Sequence, residues 1–190
     1  GALGPAHRRL PPYIYTDEDI TQLLEAASEL APPRGLRPAS IQCLLGLLAA
    51  TGLRVSEALH LQREDADLDQ GVLCVRQTKF HKSRYVPLHP STTAALVEYA
   101  RRRDRHLPLS REPAFFLLDD GRPLLYGQAL YAFHRIRTRL GWDRRSGRRG
   151  LRRPEVVDAH NLELLGRESS AQILAEPGHG IGVVAGPHGV

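Results

Sequence analysis

Ala49-Ala50-Thr51-Gly52-Leu53-Arg54-Val55-Ser56-Glu57 ends one helix and begins another, and the rest of the chain is arranged around that joint. Just upstream, residues 41–50 are apolar nearly all round, the pattern of a helix buried on every side at the centre of a helical domain. Gly52 comes next, the residue type that most readily takes the left-handed turn with which many helices stop. Arg54 then stands at the entry of a short helix predicted over 55–61, with Glu57 three positions on. Residues three apart on a helix are neighbours, so a carboxylate at 57 can hold the guanidinium at 54 while its planar fork stays free for an oxyanion such as phosphate.

Further upstream, Thr16 followed by Asp17, Glu18 and Asp19 predicts a capped helix start with acids in its first turn. Ile20, Leu23, Leu24, Ala27 and Leu30 then recur at helical spacing until Pro32-Pro33, and Pro38-Ala39-Ser40 is expected to open the central helix. Downstream, 71–77 and 85–88 read as antiparallel strands flanking a basic turn that holds Lys79 and Lys82. The alternating acids Asp65, Asp67 and Asp69 lack the Gly and closing Glu of a calcium loop, since Gln70 and Arg76 hold those places, so they read as a strand start and turn. A helix over 91–103 is expected to be capped by Ser91 or Thr92 and to turn Ala95, Leu96 and Tyr99 inward. Its end, Arg101-Arg102-Arg103, reads as a solvated helix terminus or a set of phosphate contacts. After the turn at Asp119-Asp120-Gly121, Leu130, Phe133, Ile136 and Leu140 make one stripe of a last helix over 125–140, closed by Gly141-Trp142.

With 190 residues, 42% of them apolar, the chain can bury one sizeable core. A formal charge of +5 favours a polyanionic partner. Cys43 and Cys74 lie in apolar runs without metal-ligand spacing and read as reduced core residues, which suits a cytoplasmic protein; no metal or cofactor is expected. No apolar run approaches the ~20 residues that cross a bilayer, so no membrane role is expected. Only Lys79 and Lys82 among the 26 basic residues are lysines. A chain so biased to arginine keeps a flexible, titratable amine at one turn, where a guanidinium would stay charged at any working pH; two surface lysines in an ordinary turn are the alternative.

Ala50-Thr-Gly-Leu-Arg-Val-Ser-Glu57, then Thr78-Lys79 and Arg84-Tyr-Val-Pro-Leu88, resemble the catalytic domain of tyrosine recombinases, the phage integrase family, over roughly residues 9–142. The resemblance implies an α+β fold, mainly α-helical, with a small antiparallel three-stranded sheet. It also implies double-stranded DNA as partner, a homotetramer acting on two duplexes, and site-specific recombination and integration. In that chemistry a tyrosine attacks a phosphodiester, leaving a 3′-phosphotyrosyl link and a 5′-hydroxyl, while fixed donors neutralise the phosphate oxygens and an acid protonates the leaving oxygen. By the resemblance Arg54 is the first clamp arginine, Glu57 its buttress and Lys79 the acid, with His81, Lys82 and Arg84 as DNA contacts and Lys82 the alternative acid.

The second half of the site departs from the family pattern. His160-Asn-Leu-Glu163 keeps the histidine but places Glu where a second clamp arginine belongs, so His160 is the one candidate there. The tyrosines are Tyr13, Tyr15, Tyr85, Tyr99, Tyr126 and Tyr131, none in the stretch after the basic loop where a nucleophile is expected; Tyr126 and Tyr131 read as helix and core residues. Residues 1–12 are expected to be a linker from a DNA-clamping domain outside the chain, 13–143 a partial catalytic domain, and 144–190 a basic loop with a divergent tail for which a frameshift is one reading. The chain is therefore expected to lack a nucleophile and a complete assembly, the alternatives being a non-catalytic DNA-binding module or a decayed gene product.

Overall fold

The computed structural model describes residues 15–76 and 83–142. Its order is α1 (Asp17–Ser28), α2 (Leu36–Thr51), α3 (Val55–Leu59), a 3-10 turn at Arg63–Asp65, β1 (Ala66–Asp67), β2 (Val72–Arg76), β3 (Ser83–Pro87), α4 (Pro90–His106) and α5 (Tyr126–Arg139). The three strands form one antiparallel sheet in the order β1-β2-β3. The α+β class with its small three-stranded sheet is thus as the resemblance implies.

Thr16 caps α1 in both directions: its hydroxyl accepts from the Asp19 N–H at 3.2 Å, and the Asp19 carboxylate accepts from the Thr16 N–H at 3.1 Å. Every residue of α2 from Pro38 to Ala49 is buried, and α1 and α4 pack against it. This all-round burial is what the lack of a polar face foretells. One polar knot sits inside it. The Ser40 hydroxyl donates to the Leu117 carbonyl at 2.6 Å, the Tyr99 hydroxyl lies 3.0 Å from Ser40 Oγ, and Tyr99 accepts from the Leu117 N–H at 3.0 Å. Burial pushes the Tyr99 phenol up to about 12, so it stays a neutral strut linking α4, α2 and the segment around Leu117. Cys43 is buried and Cys74 half-buried, and both are free thiols; burial raises the pKa of Cys43 far above the ordinary thiol range.

Three local expectations are corrected. First, α2 starts at Leu36 rather than at Pro38, because the Asp119 carboxylate accepts from the Leu36 N–H at 2.5 Å and the Arg37 N–H at 3.3 Å. That cap comes from 83 residues away, beyond the reach of local sequence pattern. Second, α4 starts at Pro90 and is capped by His89, whose Nδ1 accepts from the Ser91 N–H at 3.3 Å; Thr92 is buried instead of capping. Third, α4 runs on to His106, and two of the three arginines at 101–103 are tied into the fold, while Arg101 is exposed. Arg103 is buried, donates to the Phe115 carbonyl at 3.0 Å and lies over the Phe115 ring, while Arg102 donates to the Gly35 carbonyl at 3.0 Å.

The sheet is laid so that one face meets the helices. Leu73 and Val75 of β2 are buried, and the register sets Val86 opposite Leu73 and Arg84 opposite Val75. Directly opposed residues share a face, so Arg84 belongs to the inner face of β3 while Tyr85 points outward and is 75% exposed. Among the described residues no helix is long and apolar enough to cross a membrane.

Candidate functional site

Gly52 ends α2 in the left-handed conformation, φ 65°, with its N–H donating to the Leu48 carbonyl at 3.0 Å. The chain reverses there, buries Leu53, and sets Arg54 at the N-cap of α3 in extended conformation. Glu57, on the first turn of α3, faces back across this joint. Its Oε2 accepts from the Arg54 backbone N–H at 2.9 Å, and its Oε1 from the Arg54 guanidinium at 3.3 Å.

The closer partner of Glu57 comes from the sheet. Arg84 donates through both terminal nitrogens, one to Oε1 at 2.8 Å and the other to Oε2 at 2.9 Å. This is the two-pronged geometry in which guanidinium and carboxylate bind most strongly. A carboxylate has about four lone-pair positions, and these four hydrogen bonds fill them. The bonds from Arg84, followed by the Arg54 N–H, hold the Glu57 carboxyl down at about 2 against the opposing effect of burial. The Arg84 guanidinium is correspondingly held above its ordinary range by Glu57.

Among the described residues charge at this corner does not close. One carboxylate, 12% exposed, faces two guanidiniums, so one positive charge is left over. The surplus sits outward, because Arg54 is 71% exposed and Arg84 only 39%. Among the described residues Glu57 is the only partner of the Arg54 guanidinium. The arrangement therefore offers a planar, permanently charged fork, held at one side, to an incoming oxyanion.

On the same sheet a second arginine behaves differently. Arg76, opposite Ser83 on β2, donates to Asp65 Oδ1 at 2.6 Å and to Glu64 Oε1 at 2.6 Å. Asp65 is buried and also accepts from the Gln62 N–H at 2.9 Å, so Arg76 ties β2 to the 3-10 turn with no cation in surplus. Sequence reading singled out neither this clasp nor the grip of Arg84 on Glu57.

Of the residues expected at the site, Arg54, Glu57 and Arg84 are brought together. Lys79, His81, Lys82 and His160 lie outside the described residues. Tyr15 and Tyr99 are buried within aromatic clusters. Tyr126 and Tyr131 lie on the outer side of α5, exposed rather than in the core as the sequence suggested, because the buried face of α5 is Ala129, Ala132, Phe133 and Ile136. Among the described residues no three His, Cys, Asp or Glu side chains cluster as metal ligands would.

The sequence profile of the phage integrase family matches residues 14–185, a span that takes in the site and most of the stretch after residue 143. The protein y4rE of Sinorhizobium fredii, named for the integrase/recombinase class, is 41% identical over 133 residues, covering 70% of this chain and 43% of the relative. Tyrosine recombinase XerD of Bradyrhizobium diazoefficiens is 37% identical over 102 residues, covering 50% of this chain and 32% of the relative. The chain thus spans less than half the length of these relatives. Among solved structures, XerH site-specific recombinase bound to difH substrate in a pre-cleavage complex superimposes with a TM-score of 0.59 at 22% identity, covering 85% of this chain and 43% of that one. XerA recombinase superimposes with a TM-score of 0.55 at 20% identity, covering 92% and 64%. At such identities these two speak for the fold, while the profile match over most of the sequence speaks for descent. The chain belongs to the phage integrase family and carries part of a tyrosine recombinase catalytic domain.

Proposed function

We propose that this chain is a protein of site-specific DNA recombination and integration that grips a DNA phosphodiester, with Arg54 as the clamp, Glu57 as its buttress and Lys79 in the place of the acid that would protonate a leaving 5′-oxygen wherever a nucleophile attacks. The observation that carries this reading is the surplus guanidinium at the end of α2, seven-tenths exposed and anchored by a carboxylate whose bonding capacity is full. The solved relative XerH is described as bound to its difH substrate, which fits a nucleic-acid partner for this fold. His81 and Lys82 add backbone contacts, and the protein works in the cytoplasm on bacterial or phage DNA. Residues 1–12 act as a linker.

Strand cleavage by this chain alone is not part of the proposal. Within the 190 residues no tyrosine follows Tyr131, and Glu163 stands where a second clamp arginine would follow His160. These two features favour a second reading, in which the same basic surface binds duplex DNA without cutting it and the tail over 144–190 does not complete a tetramer. A nicked suicide substrate tests both readings. Duplex binding that weakens steeply with salt, with no covalent protein–DNA adduct, is the expected result. An adduct would restore full catalysis to the chain, and absence of duplex binding at low salt would remove both readings.

A further inference from the structure

Resting on the phosphate-handling reading above, we infer that Arg84 is a positioning residue rather than a DNA contact: it occupies both oxygens of Glu57 so that the Arg54 fork stays open to a phosphate-type oxyanion. Glu57 has two oxygens and can accept one fork-on-fork pair at a time. Arg84 holds that pairing at 2.8 and 2.9 Å, leaving Arg54 one guanidinium contact at 3.3 Å, long for a charged hydrogen bond. Arg84 wins this competition by its place. It rises from the inner face of β3, opposite buried Val75, and is less hydrated than Arg54. A pair with less water around it is electrostatically stronger.

The consequence for Arg54 follows from what happens if Arg84 is taken away. A half-buried carboxylate would lose its main partner, and the nearest remaining cation is Arg54, already tethered to it through its own backbone N–H at 2.9 Å. Arg54 would turn in, take both oxygens and lose its surplus charge to Glu57. The clamp would then be closed on the protein itself. Arg84 also couples two elements: α3, at whose N-cap Arg54 stands, and β3, which comes after Lys79 in the sequence.

The test follows the Nε–H signals of Arg54 and Arg84 by 1H–15N spectroscopy while inorganic phosphate, and separately a short DNA duplex, is added at low salt. In the unmodified protein phosphate should move the Arg54 signal and leave Arg84 in place. Arg84→Ala should weaken phosphate binding about tenfold, to the level of Arg54→Ala, because the two changes disable one fork. Adding Glu57→Gln to Arg84→Ala removes the charge that traps Arg54 and should bring affinity back to within about threefold of the unmodified protein. Movement of the Arg84 signal together with that of Arg54, failure of the second substitution to restore binding in a cooperatively folded protein, or no movement of Arg54 with either probe would each overturn the assignment. Should a variant not fold, the titration of the unmodified protein decides alone. A shift of Arg54 with phosphate but no binding of the duplex leaves the role of Arg84 standing and removes the DNA reading.

Discussion

The two ends of α2 are each flanked by a glycine and each have a carboxylate close by, yet they are built for opposite purposes. At the start, Asp119 aims both oxygens at backbone N–H groups of Leu36 and Arg37, and His106 Nε2 lies 3.5 Å from one of them. A helix start lacks partners for its first N–H groups and carries a partial positive charge, so one carboxylate satisfies both needs. Gly35 is there for space: its φ is an ordinary −65°, but a β-carbon would sit 2.6 Å from Asp119 Oδ1. At the far end Gly52 is there for conformation, φ 65°, and the carboxylate beyond it faces two guanidiniums. The lesson is a physical criterion. Where a charged cluster balances and spends itself on the backbone, it completes the fold; where it leaves a charge over and turns it outward, it is available to a ligand.

The strongest way to break that comparison is at the start of α2. Asp119→Ala strands two N–H groups at the entry of a helix whose first residue, Leu36, is fully buried, and should cost about 2–3 kcal/mol. Gly35→Ala should follow it downward, since the new methyl displaces the same carboxylate. Urea unfolding should show a lower midpoint with an unchanged slope in both, and phosphate binding to the folded fraction should be that of the unmodified protein. Loss of phosphate binding in a folded Asp119→Ala protein would mean that the two ends are not separate in function.

A smaller effect sharpens the other end. The Glu57 carboxyl is held at about 2 in the folded chain against an ordinary 4.5. A carboxyl lowered on folding stabilises the fold fully above the ordinary value and loses that contribution as pH falls through the folded value, because the unfolded chain takes up the proton first. Between pH about 4.5 and 2 the unmodified protein should therefore lose about 1–2 kcal/mol that Glu57→Gln lacks from the outset. Urea midpoints of the two proteins should differ at pH 6 and converge toward pH 2. Parallel curves at constant separation would show that the ion pair with Arg84 does not stabilise the fold.

How far the sequence carried these distinctions depends on which rule was applied to each arginine. The capped start of α1, the burial of α2 and its stop at Gly52 are local, and period, cap and turn residue each name them directly. Composition places Arg103 at the tail of a basic run, and the resemblance makes Arg84 a DNA contact; neither names a partner for them inside the protein. Their spacing adds that both stand on inward register positions. Thr92, Leu96, Tyr99 and Arg103 recur at three and four residues along the buried face of α4, and Arg84 alternates with Val86 along the inner face of β3. A cation on an inward register position needs a carboxylate or carbonyl near it, so periodicity could have flagged both residues, although not their partners. Those partners, Phe115 for Arg103 and Glu57 for Arg84, lie 12 and 27 residues away, and Asp119 lies 83 from the helix start it caps. Only the packed chain brings them together.

The two glycines allow the finest separation of the two ends. At Gly52 an alanine must adopt the left-handed region, at about 1–2 kcal/mol, partly offset because alanine loses less backbone freedom on folding. Gly52→Ala should therefore cost about 1 kcal/mol, less than Gly35→Ala, whose β-carbon meets Asp119 Oδ1 at 2.6 Å and Pro32 Cγ at 2.9 Å. Asparagine distinguishes the causes. It tolerates positive φ better than alanine does, so Gly52→Asn should recover part of the loss, whereas Gly35→Asn should be no better than Gly35→Ala because its side chain begins with the same carbon. Thermal unfolding of the four variants reads this directly. If asparagine rescues position 35 and fails at position 52, the reasons assigned to the two glycines are interchanged, and the start of α2 is held by conformation rather than by the room left for Asp119.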